Sequence, residues 1–189
     1  IPRLLNYVVL TPYFTYNIFI NDAVSEYGKL TELYAYVTFL LILLTYGMET
    51  AYFRYINITE NKKSVFSTII ASVFTTSVLF IVIVALNVSS IAQLLDYGGE
   101  KSFIIIIAGI VAIEAFTAIP FAKIRVEEKA LKFALLKTIN VFVNIAIIAI
   151  FYNVLPAIGL GDFIKNDAGI VSVKYVLLAN LITSCIILI

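Results

Sequence analysis

The sequence predicts an all-α membrane protein, a polytopic bundle of about six transmembrane helices. Three observations lead there. Apolar residues make up 62 % of the 189 and charged residues only 13 %, against about 45–50 % and about 25 % in ordinary soluble domains. The mean hydropathy is +1.04, and so few charges cannot cover a water-facing surface. The apolar residues also fall into six long runs divided by short polar connections, with no barrel-like alternation. Lipid offers no partner to an unpaired backbone group, so such runs cross as helices.

A spanning helix needs roughly 20 apolar residues to cross about 30 Å of hydrocarbon. The first run covers about Pro2–Ile20, the second Leu30–Tyr52, and the third Phe66–Val88 with a tail to Leu95. The fourth covers about Ser102–Ala122, the fifth Phe133–Leu155 and the sixth Val171–Ile189. The connections Asn21–Lys29, Arg54–Ser64, Asp96–Lys101, Lys123–Lys132 and Pro156–Ile170 hold most of the charge. Connections this short make successive helices antiparallel neighbours. The chain enters and leaves in apolar runs, Ile1-Pro2-Arg3 and Ile186-Ile187-Leu188-Ile189. The expectation is one six-helix lobe, residues 1–189, cut at both ends from a longer membrane protein.

Loop charge predicts the orientation. Connections two and four carry Arg54, Lys62, Lys63, Lys123, Arg125, Lys129 and Lys132, with Lys137 just beyond; the odd connections carry Lys29, Lys101, Lys165 and Lys174. Eight cations against four place connections two and four, and the N-terminus, on the cytoplasmic side.

Several function classes drop out. There is no histidine and one cysteine, Cys185, so Ser–His or Cys–His catalysis and most zinc chemistry lack their groups. No acidic pair or metal-ligand spacing speaks for an enzyme, and no cofactor or metal is expected. A net charge of +1 without a basic, aromatic-interleaved face gives no nucleic-acid partner.

Function in a membrane bundle is read from polar groups inside apolar helices. Arg3, Asn6, Tyr13 and Asn17 share one face of the first helix by their spacing, and Tyr34, Thr38, Thr45 and Glu49 one face of the second. Thr68, Ser72 and Thr75 form a shorter stripe on the third. Lys137, Asn140 and Asn144 line up on the fifth, and Asn180, Thr183 and Ser184 cluster on the sixth. Each stripe has two readings: helix–helix packing, where small polar residues act as weak glue, or the wall of a shared polar cavity.

Glu114 lies mid-helix, and a charge there costs roughly 2.5–3.5 kcal/mol on insertion scales. It should be paired with Arg3 or Lys137, face water, or bind a proton. Pro120 removes a backbone donor and crowds the carbonyl of Phe116, bending the helix beside Glu114. Glu49 either snorkels to the interface or takes part in ion coupling. Arg125 is a topology determinant that could also meet an anionic headgroup.

The stretch Glu26-Tyr27-Gly28-Lys29-Leu30-Thr31-Glu32-Leu33-Tyr34-Ala35-Tyr36, running on to Tyr46-Gly47-Met48-Glu49-Thr50-Ala51-Tyr52-Phe53-Arg54, resembles bacterial polysaccharide-export flippases of the multidrug/oligosaccharidyl-lipid/polysaccharide exporter superfamily. Ile119-Pro120-Phe121-Ala122-Lys123-Ile124-Arg125 with Lys132-Phe133-Ala134, and Tyr175-Val176-Leu177-Leu178-Ala179-Asn180-Leu181, fit the same pattern. The resemblance implies one lobe of a MATE-like two-lobe transporter in the bacterial inner membrane, with a C-terminal lobe as its partner. It implies alternating access that flips a polyprenyl-pyrophosphate-linked oligosaccharide for surface polysaccharide biosynthesis. Substrate contacts are then expected at Arg3, Asn6, Arg54, Lys137 and Asn140, with Arg3 matching the family's pyrophosphate-holding cations. Ion coupling, to a proton or sodium, is expected at Glu114 and Glu49. The alternative within the superfamily is a proton- or sodium-coupled multidrug antiporter. Membrane lipids are partners in either case.

Overall fold

The computed structural model describes residues 23–159 and 173–188, and every element among them is a helix. These are α1 (Ala23–Thr45), α2 (Met48–Ile58), α3 (Lys62–Leu86), α4 (Val88–Leu94), α5 (Lys101–Val126), α6 (Ala130–Ala149) and α7 (Lys174–Leu188). A π-helical segment, Ile150–Val154, and a last helical turn, Leu155–Ala157, extend α6. Four described stretches are long and apolar enough to cross a membrane: Gly28–Ile58, Lys62–Leu86, Lys101–Val126 and Ala130–Val154; α7 is a shorter apolar helix. The chain is a membrane-spanning helical protein. The expected first span, with Arg3 and Asn6, lies outside the described residues.

Two expected helices are each divided. The run Leu30–Tyr52 is not one helix. Tyr46 (φ 33°) and Gly47 (φ 73°) adopt the left-handed region and separate α1 from α2. Asn87 likewise separates α3 from α4, its backbone N–H turning back to the carbonyls of Ile83 and Val84. The first break falls within Gly28–Ile58, a stretch apolar enough on average to read as one run, so mean hydropathy does not reveal it.

Local chemistry sets the other boundaries. Asn61 caps α3, its side chain accepting from the Ser64 N–H at 3.2 Å. α5 ends in a Schellman turn: Lys129 N–H donates to the Ile124 carbonyl and Glu128 N–H to that of Arg125, with Glu128 left-handed at φ 56°. α4 ends the same way around Asp96 at φ 59°. Pro120 stays inside α5, which continues to Val126.

The described chain divides into two compact units. Residues 23–35, 136–159 and 173–187 form the first, and residues 36–135 with 188 the second. In the second, α5 is the buried spine. Its Ala108, Ala112, Ala115, Ile119 and Ala122 recur at four, three, four and three, all nearly inaccessible. Small residues at that spacing let neighbouring backbones approach, the commonest device for packing helices in lipid. Tyr52 and Ile56 of α2 and Ile69 and Val73 of α3 close onto this seam. Away from this seam α3 exposes Val78, Leu79, Val82 and Ile83, as a lipid-facing surface requires.

Candidate functional site

Within the first unit, polar groups from three apolar helices converge. The Asn144 carboxamide on α6 donates through Nδ2 to Asn180 Oδ1 at 2.5 Å, and more loosely to Thr183 Oγ1 at 3.4 Å. Asn180 Nδ2 donates in turn to Tyr34 Oη on α1. Thr183 gives its own proton to the Ala179 carbonyl at 2.8 Å. Tyr34, Asn144 and Thr183 are buried. Apolar surroundings penalise an unpaired polar group, so the network ties α1, α6 and α7 together. One position is left over: Asn144 Oδ1 is buried with no hydrogen-bond partner among the described residues. Lys137 and Asn140, on the same stripe of α6, are half-buried. In this unit the π-helical segment carries Phe151, whose ring lies 5.5 Å from that of Tyr175.

Within the second unit, cations gather at one end. Arg125, at the end of α5, pairs with Glu49 in the first turn of α2. Its guanidinium lies 5.2 Å from the Phe53 ring and 5.4 Å from the Phe133 ring. Phe133 packs edge-on against Phe121, with centroids 5.9 Å apart. Lys123 stands 4.5 Å over Phe66 of α3. These contacts bring the α2–α3 connection and the α5–α6 turn to the same end. Lys129 pairs with Glu127 at 2.6 Å. That hydrogen bond, with the Lys129, Lys123 and Lys132 charges, holds the Glu127 carboxyl below its ordinary value.

The expected site residues therefore divide. Lys137 and Asn140 belong to the first unit, and Glu49, Arg54 and Glu114 to the second. Arg54 is exposed, and Glu114 is half-buried, its carbonyl accepting from Thr117 Oγ1 at 3.1 Å. Among the stripe hydroxyls, those of Thr45 and Thr75 bond locally, whereas Ser72 meets Tyr46 Oη. Thr45 donates to the Leu41 carbonyl, Thr75 to that of Ala71 and Thr76 to that of Ser72. Such hydroxyls satisfy themselves on their own helix and need no cavity.

Sequence reasoning placed Tyr34, Asn144, Asn180 and Thr183 on polar stripes but did not join them. It missed the Glu49–Arg125 pair altogether, because its two members stand 76 positions apart. The only local signal was an acid and a base, each at the polar end of an apolar run on the same predicted side. No family model, curated protein or solved structure matches the chain.

Proposed function

We propose that the chain forms part of a bacterial inner-membrane flippase for polyprenyl-pyrophosphate-linked oligosaccharides, working by alternating access with a second lobe and performing no covalent chemistry. The observation that carries this reading is the buried carboxamide network of Tyr34, Asn180, Asn144 and Thr183, with the half-buried Asn140 and Lys137 on the same stripe of α6. Carboxamides and phenols match the hydroxyls of a glycan, and Lys137 suits a phosphate oxygen. The cationic end of the second unit fits the cytoplasmic leaflet, where such a lipid is loaded.

The test is flipping of a fluorescent lipid-linked oligosaccharide by the protein, with its proposed second lobe, in vesicles. Asn140→Leu and Lys137→Gln should each slow flipping at least several-fold while the protein remains folded. Unchanged rates in both would remove the network's stripe from the mechanism, and an unchanged rate for Arg3→Ala would remove Arg3.

A second reading is a proton- or sodium-coupled antiporter for cationic drugs. It is favoured by Glu114, a half-buried acid in the middle of the buried spine α5. Dye efflux that collapses with the ion gradient and is lost in Glu114→Gln would select it over flipping.

A further inference from the structure

The separation of α1 from α2 falls inside Gly28–Ile58, a stretch long and apolar enough to cross a membrane. Lys62 and Lys63 mark the basic end of α3. Ser72, nine residues further on, lies about 13 Å along the helix at about 1.5 Å per residue. Tyr46 Oη reaches Ser72 Oγ at 2.7 Å, so the left-handed pair Tyr46–Gly47 sits near that level of α3. α2, with 11 residues, covers the remaining distance, about 16 Å. An unbroken helix over the same stretch would pair the N–H groups of α2's first turn with the last carbonyls of α1. The break forfeits those bonds.

Three interactions within the second unit compensate. The Tyr46–Ser72 hydrogen bond pins the turn to α3. The Glu49–Arg125 pair and the Arg125–Phe53 contact clasp the start of α2 to the end of α5. Tyr46 itself is held at a positive φ that non-glycine residues avoid. A Cβ added at Gly47 would meet no atom within 4 Å. Glycine is therefore required there by backbone conformation alone, and not by crowding. A strained turn, forfeited helix bonds and a releasable clasp are the ingredients of two states of similar free energy.

We propose that Tyr46–Gly47 is a two-state helix break: the broken form, latched by Tyr46–Ser72 and Glu49–Arg125, alternates with a continuous α1–α2 helix in which both latches are open. Straightening re-aims α2 as a body. Glu49 then no longer neutralises Arg125, whose charge becomes available at the basic end. The device stands on backbone geometry and holds whether or not the chain is a flippase.

Spin labels at Phe39→Cys and Asn57→Cys, both exposed and both in the second unit, report the two forms by pulsed dipolar spectroscopy. The protein is placed in lipid nanodiscs with Cys185→Ser. A continuous helix sets the backbone separation of the labelled positions at about 27 Å, and the broken form is shorter. Gly47→Ala disfavours the left-handed turn and should raise the ratio of long to short separations about five- to tenfold. Tyr46→Phe and Glu49→Gln remove one latch each and should raise it about twofold or more, without altering backbone preference. The same short distribution in all three variants would overturn the proposal. Should Gly47→Ala fail to fold, the two latch variants decide the matter alone.

Discussion

Arg125 and Glu49 stand 76 positions apart in the chain and close onto each other at the basic end of the second unit, with the guanidinium set between the rings of Phe53 and Phe133. The pair is more than a third exposed on each side, so its ionic part is worth about 0–1 kcal/mol. Each aromatic contact adds about 0.5–1 kcal/mol. Glu49→Gln should therefore cost less than about 1 kcal/mol, and Arg125→Ala about 1–2 kcal/mol, because only the latter also loses both rings. Thermal unfolding in neutral detergent at low and high salt checks the order. Salt should narrow the difference between parent and Glu49→Gln and leave most of the Arg125→Ala loss in place.

The carboxamide network makes an ordered prediction of its own. Asn180 bridges Asn144 and Tyr34, whereas Asn144 already carries an unpaired Oδ1. Polar contacts between membrane helices average about 0.6 kcal/mol and reach about 1.7 kcal/mol. Asn180→Leu should destabilise by about 1–2 kcal/mol and Asn144→Leu by about 1 kcal/mol or less, since the leucine also removes a buried orphan acceptor. Unfolding by denaturing detergent gives both values. An equal or reversed order would mean that the bridging role of Asn180 carries no weight.

The turn after α5 offers a stabilising change. Glu128 occupies the left-handed position of a Schellman turn, which glycine fills without strain. Glu128→Gly should raise stability by about 0.5–1 kcal/mol after allowance for the greater freedom of the unfolded chain. Differential scanning fluorimetry reads this directly.

Glu127 gives the pH dependence its sign. The hydrogen bond from Lys129, and then the surrounding lysine charges, lower its carboxyl pKa. A carboxyl that titrates lower in the folded state contributes stability that is present above its unfolded pKa. That contribution disappears as pH falls through the folded value. The group is exposed, so solvent screens the effect and the useful readout is the titration itself. Lys129→Gln should move the Glu127 NMR titration upward, towards the ordinary carboxylate range. A midpoint that does not move would assign the shift to the other lysines.

The helical class was legible because lipid leaves so few choices: α3 and α5 declare themselves by uninterrupted apolar length bounded by Lys62–Lys63, Lys101 and Lys123. The breaks at Tyr46–Gly47 and Asn87 were not legible. They depend on backbone dihedrals and on a partner such as Ser72 on another helix, and hydropathy carries neither. The polar stripes were visible as spacing on one helix. Which stripes meet was not, because Tyr34 and Asn180 are joined across 146 positions. The threonines at 45 and 75 looked like the same signal, yet their hydroxyls are satisfied by the preceding turn. A hydroxyl has that option on its own helix. The carboxamides of Asn144 and Asn180 are instead joined to other helices.

If the chain is a flippase, Asn140 and Lys137 on the polar stripe of α6 face a water-accessible passage, while Asn144 on the same stripe closes the seam with α7. The direct measurement is labelling of Asn140→Cys and Ile139→Cys by a membrane-impermeant thiol reagent, in the Cys185→Ser background of the protein in intact membranes. Asn140 is half-buried on the stripe, while Ile139 beside it is exposed on the helix surface. Asn140→Cys should react and Ile139→Cys, lying in lipid, should not. Silence at Asn140→Cys from both sides of the membrane would contradict that placement.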